Sequence, residues 1–188
     1  IRAKTERELP SDVLAKETEA LVALGLIPPA YDATAGMFEM IGTSIAGFYE
    51  PADKTMYLAA DLKPAERDET LAHELVHALQ DQHYDLGPMF EYRADDDERA
   101  AAGHAVAEGD ATSAMFDVSR GDVMGVDEDR FASAARDSME AMAPDVPAVL
   151  RASLMSAYID GFAFVQGLRR RGGFAAVDAA WRALPTTT

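Results

Sequence analysis

The chain has 188 residues, no cysteine and a formal net charge of −16, from 33 acidic residues against 17 basic. Its 48% apolar content is enough for one cored domain spanning 1–188, and the missing cysteine excludes disulfides, thiolate metal sites and thiol nucleophiles. The acidic balance would repel a phosphate backbone, which argues against nucleic acid as a partner, and no run approaches the roughly 18 apolar residues that a membrane span requires.

In chain order, residues 11–25 repeat apolar side chains at helical spacing between a capping Ser11 or Asp12 and Gly25. Pro28-Pro29 then breaks the chain, and 36–60 changes character, with GFYE and TMYLA predicted as a hairpin around a Pro-Ala-Asp-Lys turn. Pro64 opens a helix over AERDETLAHELVHALQDQHY, whose Leu71, Leu75, Ala78 and Leu79 form an apolar stripe. Gly87-Pro88 ends that region. The acidic DDDE then leads an alanine-rich helix to Arg120, in which Gly103 and Gly109 suggest close packing. FASAARDSMEAMA is predicted as a further helix, and two more, 148–170 and 174–183, flank Gly172-Gly173. The expected fold is α+β: mostly helical, with a small antiparallel hairpin or sheet beside the motif helix.

The chemistry concentrates in His73-Glu74-Leu75-Val76-His77. Histidines at i and i+4 share a helix face one turn apart, so both imidazoles can meet one tetrahedral ion, while the Glu beside the first reaches a position left open. Without cysteine, every protein ligand must be nitrogen or oxygen. A catalytic zinc site needs a third protein ligand, and three candidates compete. His83 follows His77 by six residues, but that route needs a sharp turn where the chain has Gln80. Glu108, in HAVAEGDAT on the next long helix, can reach the same ion if the two helices pack together, and is favoured. His104, one turn earlier, is better suited to hydrogen-bond a ligand than to be one.

HELVHALQDQ together with AVAEGDAT resembles the gluzincin metallopeptidases, the thermolysin-like and aminopeptidase-like group. GFYEPADKTMYLAADLKPAERDETLAHELVHALQDQHYDL is similar to small bacterial gluzincin-like proteins, usually predicted to be exported. AYIDGFAFVQGLRRRGGFAAVDAAWRALPTT resembles the tyrosine-glycine helix of gluzincin aminopeptidases. The resemblance implies a single zincin-like metallopeptidase domain, with one zinc ion on His73, His77 and Glu108; the start at Ile1 rather than Met and the tail of Pro185 and three threonines suggest truncation at one or both ends. The resemblance also implies peptide or protein substrates and a secreted or cell-envelope location in a bacterium. Glu74 would activate water, and Tyr158, which matches the family's tyrosine, would donate to the oxyanion; a core tyrosine is the competing reading. No GxMEN-type strand is present to anchor a free amino terminus. The position four residues after Glu108 is Thr112, where thermolysin-like enzymes carry an Asp that orients a zinc histidine. Asp110, about 200° around the helix from Glu108, is expected to bond elsewhere, and Asp81 is the other candidate for supporting a ligand.

Substrate is expected along the hairpin edge at Gly47-Phe48-Tyr49, with Phe48, Met56, Tyr57 and Met89 as candidates for an apolar subsite. Two other functions share the motif. A non-catalytic, zinc-stabilised peptide-binding domain would have no use for Glu74, and hydrolysis of a non-peptide amide would use the same ligands.

Overall fold

Capping chemistry sets the ends of the helix that matters most. Pro64 stands in its first turn, and Glu66 returns its carboxylate to the Lys63 backbone N–H at 3.3 Å and to the Lys63 ammonium at 3.1 Å. The helix stops at Asp85, which turns left-handed (φ 54°). The computed structural model describes residues 11–89, 97–121 and 123–188. In chain order it contains α1 (Ser11–Ala23), α2 (Ala33–Ser44), β1 (Gly47–Glu50), β2 (Thr55–Leu58), α3 (Pro64–Tyr84) and α4 (Leu86–Met89). There follow α5 (Asp97–Arg120), a 3-10 turn (Val123–Gly125), α6 (Glu128–Met142) and α7 (Ala148–Arg182). The fold is mostly helical α+β, as expected. The expected acidic opening of α5 at Asp95 and Asp96 lies outside the described residues.

The described residues gather into two compact units. One draws on the chain up to Ser44 and on Ala134–Met155; its core joins Met40, Met139, Ala143 and Val146, flanked by Leu150, Leu154 and Met155. The other, from Ile45–Ser133 and Ser156–Thr188, carries the histidine motif. In it β1 and β2 pair antiparallel with Phe48 opposite Tyr57 and Tyr49 opposite Met56, the hairpin expected from sequence. One cluster of Leu86, Val106, Ala107, Val165, Val177 and Trp181 ties α4 and α5 to α7, and a second joins Phe116, Val123 and Phe162.

Three features differ from expectation. Ala33–Ser44 is a helix where the sequence reading places none, the only elements expected in 36–60 being the hairpin strands; Asp32 caps it by accepting the Ala35 N–H at 2.9 Å, and Met40 anchors it. Gly87-Pro88, expected to end helical structure, lies inside the short α4. The third concerns α3, whose leucine stripe is not its buried face: Leu75 is 49% and Leu79 54% exposed, while Glu74, His77, Gln80 and Asp81 are buried. A polar face can turn inward when its groups find partners there, and these do.

Contrary to the expectation that no run approaches membrane length, α7 contains a stretch long and apolar enough, by length and composition, to cross a bilayer; 28% of that stretch is buried, and Phe162, Val165 and Gln166 are among the buried residues of the helix. Its break falls at Gly172-Gly173, where Gly173 adopts φ 63°, ψ −155°, a conformation essentially reserved for glycine. Further up the helix Gly161 meets α5 with no room to spare. A Cβ on Gly161 would lie 2.0 Å from the Ala105 carbonyl oxygen, and one on Gly109 would lie 2.1 Å from the Gly161 carbonyl oxygen. The close packing expected of Gly109 is therefore present, one residue from Glu108. Gly161→Ala must push the two helices apart. It is expected to cost about 2 kcal/mol net, because overpacking outweighs the roughly 1 kcal/mol that alanine gains in helix propensity. Urea unfolding followed by circular dichroism measures it.

Candidate metal centre

α3 and α5 lie side by side, and their facing residues bring three donor atoms together. His73 Nε2 is 3.1 Å from His77 Nε2 and 3.0 Å from Glu108 Oε2, and His77 Nε2 is 3.4 Å from the same oxygen. In a tetrahedral zinc site with bonds of about 2.0–2.1 Å, ligand atoms stand about 3.3 Å apart. The triangle has the edge lengths that one such ion would require. His73, His77 and Glu108 thus form a buried group able to hold a metal ion, with donors of the type and spacing that fit one.

Each donor is held by its setting. Glu108 extends from α5 toward α3, and its other oxygen, Oε1, is held 3.1 Å from His104 Nε2. Burial would raise the Glu108 carboxyl, but hydrogen bonds from His104, His73 and His77 hold it well below the usual carboxylate range. Burial likewise opposes charge on His77, yet Glu108 and Glu74 lift it to about 9. A negative ligand set that draws protons when no cation is bound is one that a cation would satisfy.

Glu74 is beside this group without belonging to it. Its buried carboxylate accepts the Tyr49 backbone N–H, and burial pushes its pKa up, against the pull of His77 and His73. Tyr158 enters from α7, its ring centroid 6.2 Å from that of His73. The Glu108 charge, then burial, raises the phenol well above 10, so it stays protonated. Ile45, Gly47, Phe48, Tyr49 and Pro51 form one wall of the pocket over these groups, and His73, Glu74, His77, Leu86, Glu108 and Tyr158 complete it.

The other expected residues distribute differently. His83 is exposed and stands outside the donor group. Phe48 lines the pocket, whereas Tyr57 stacks on the Phe48 ring at 4.7 Å with 44% exposure, and Met89, half-buried, packs against the cluster of Leu86 and Trp181. Met56 is not among the lining residues. Asp81 supports no ligand histidine: it accepts from the Tyr49 hydroxyl at 2.7 Å, the Lys54 ammonium at 2.6 Å and the Leu86 N–H at 3.1 Å, which fastens the hairpin to the end of α3.

Asp110 departs from the expectation that it would bond elsewhere. It accepts from Gln80 Nε2 at 3.0 Å, and Gln80 Oε1 lies 2.8 Å from His77 Nδ1, so it stands behind a ligand through one intermediary. Burial raises its carboxyl despite hydrogen bonds from Gln80 and Trp181. Gln80 and Trp181 are the residues that sequence reasoning passed over. For Gln80 the available signal was its place three residues after His77, on the same face of the helix.

Compared with protein-family models, curated proteins and solved structures, the chain matches none.

Proposed function

We propose that this chain is a zinc-dependent hydrolase of peptide bonds, in which His73, His77 and Glu108 hold the ion and Glu74 is the general base. The observation that carries the reading is the convergence of three donor atoms at tetrahedral spacing with an unliganded, buried Glu74 carboxylate alongside, all opening on one pocket. A site of two imidazoles and one carboxylate suits zinc, and three protein ligands leave a position free, the pattern of catalytic rather than structural sites. Bound zinc would supply a Lewis acid and bring the pKa of a water to about 7.

The chain's own groups do the rest. Glu74, its pKa raised by burial toward the working range of an acid–base group, takes a proton from water and returns it to the leaving amine. Tyr158 keeps its phenolic proton and donates it as a hydrogen bond to the oxyanion of the tetrahedral intermediate. The peptide lies extended along β1 at Gly47-Phe48-Tyr49, which forms one wall of the pocket.

The test is direct. Purified protein is expected to carry about one zinc per chain and to cleave unfolded casein; a chelator abolishes the cleavage and added zinc restores it. Zinc binding without chelator-sensitive cleavage of casein or a peptide library would instead favour a zinc-stabilised peptide-binding domain.

A further inference from the structure

Behind His77 runs a chain of hydrogen bonds that does not touch the pocket. Gln80 is buried, and its amide nitrogen donates to two acceptors, the Ala107 carbonyl at 3.1 Å and Asp110 Oδ2 at 3.0 Å. Asp110 Oδ2 is itself fixed by the Trp181 indole N–H at 3.0 Å, and the Trp181 ring stacks on Tyr84 at 4.6 Å, nearly parallel. These contacts decide which way the amide of Gln80 points. Reversed, its oxygen would face a carbonyl and a carboxylate oxygen with no proton between them, and its nitrogen would face a ring nitrogen. Gln80 Oε1 therefore faces His77 Nδ1, 2.8 Å away, and an amide oxygen can only accept. Nδ1 must carry the proton, and in a neutral ring Nε2 then presents its lone pair to His73 and Glu108.

We infer that Gln80 is the positioning residue of the metal centre: held by Asp110, Ala107 and Trp181, it selects the His77 tautomer and ring orientation that ligation through Nε2 requires. The inference rests on the zinc reading given above. A glutamine here does what a carboxylate or backbone carbonyl ordinarily does behind a metal-bound histidine. It adds no further charge beside Glu74 and Glu108 in a buried site. The acid at Asp110 stands one hydrogen bond further back, where it orients the amide without facing the imidazole.

Zinc affinity, measured by competition with a chromogenic chelator, separates this role from mere packing. Gln80→Leu is expected to weaken zinc by about 10–100-fold, the usual cost of losing a partner behind a ligand, with the helical circular dichroism signal retained. Gln80→Glu, combined with Asp110→Asn so that an amide N–H replaces the carboxylate oxygen the new side chain would face, keeps an acceptor at His77 Nδ1 and is expected to bind zinc at least about tenfold more tightly than the leucine variant. On the native protein, ¹⁵N spectra of the histidine rings in the zinc-loaded state are expected to show His77 protonated at Nδ1 and ligated through Nε2. Native affinity in Gln80→Leu, equal losses in both variants, or ligation through Nδ1 would each overturn the inference while leaving zinc binding intact. A native chain that takes up no zinc removes the metal reading and this inference together.

Discussion

Glu74→Gln is expected to reduce turnover of a peptide substrate by about 10²–10⁴-fold, the range that general acid–base catalysis contributes, while zinc content stays at the native level. The separation of the two readouts follows from position. The donor group is His73, His77 and Glu108, and Glu74 lies next to it without joining it, its carboxylate held by the Tyr49 backbone N–H. The substitution preserves size and keeps an oxygen that can accept that N–H, so β1 and α3 should stay in register. What it removes is a group able to accept a proton. Burial already biases Glu74 toward the protonated form, so an amide in its place should disturb the fold little. Initial rates on a fluorogenic peptide library, with metal content by mass spectrometry, give both quantities. A variant as active as the native chain would remove Glu74 from the mechanism, and one that lost its zinc would make Glu74 a ligand rather than a base.

How much of this was legible in the sequence depends on whether a signal was local. Pro64 and the acidic first turn marked the start of α3, the Pro-Ala-Asp-Lys turn marked the hairpin, and Gly172-Gly173 marked the break in α7, because each needs only neighbouring residues to act. The pair His73 and His77 was legible for the same reason: spacing on one helix fixes their common face. Glu108 was within reach because it stands in a run of small residues, and small residues let helices approach. α2 was missed because Met37, Phe38, Met40 and Ile41 suit a strand as well as a helix, and Gly36 and Gly42 weaken the helical pattern.

The buried face of α3 was misread for a different reason. Apolar periodicity assigns Leu75 and Leu79 to the inside, but what turns inward is Glu74, His77, Gln80 and Asp81. Their partners come from far along the chain: the acceptors of Gln80 lie 27 and 30 residues away, the hydroxyl and ammonium on Asp81 come from 32 and 27 residues away, and Trp181 reaches Asp110 from 71. A polar residue is buried at low cost only when such partners are in place, and no window of local sequence contains them. The local rule fails along the helix that carries the candidate chemistry, where candidate functional groups are turned inward against the rule about apolar cores.

Removing Glu108 tests the donor set itself. Glu108→Ala is expected to weaken zinc by about a hundredfold or more, since it would delete one of the three proposed donors and the only anionic one. The carboxylate is buried, so its attraction for a divalent cation is weakly screened, and two neutral imidazoles cannot replace it. Glu108→Gln keeps the side-chain volume between α3 and α5 but loses the charge, and should fall on the same side, so that a loss of affinity in both variants cannot be assigned to a packing defect. His83→Ala is the matched control: an exposed histidine at the end of the same helix, outside the donor triangle, whose loss should leave zinc retention unchanged. Competition with a chromogenic chelator ranks the three variants, and far-ultraviolet circular dichroism of the metal-free forms shows that each is folded. If the Glu108 variants held zinc as the native chain does and His83→Ala released it, the ion would lie at the end of α3 and not between α3 and α5, and neither Glu74 nor Tyr158 would have a reaction to serve.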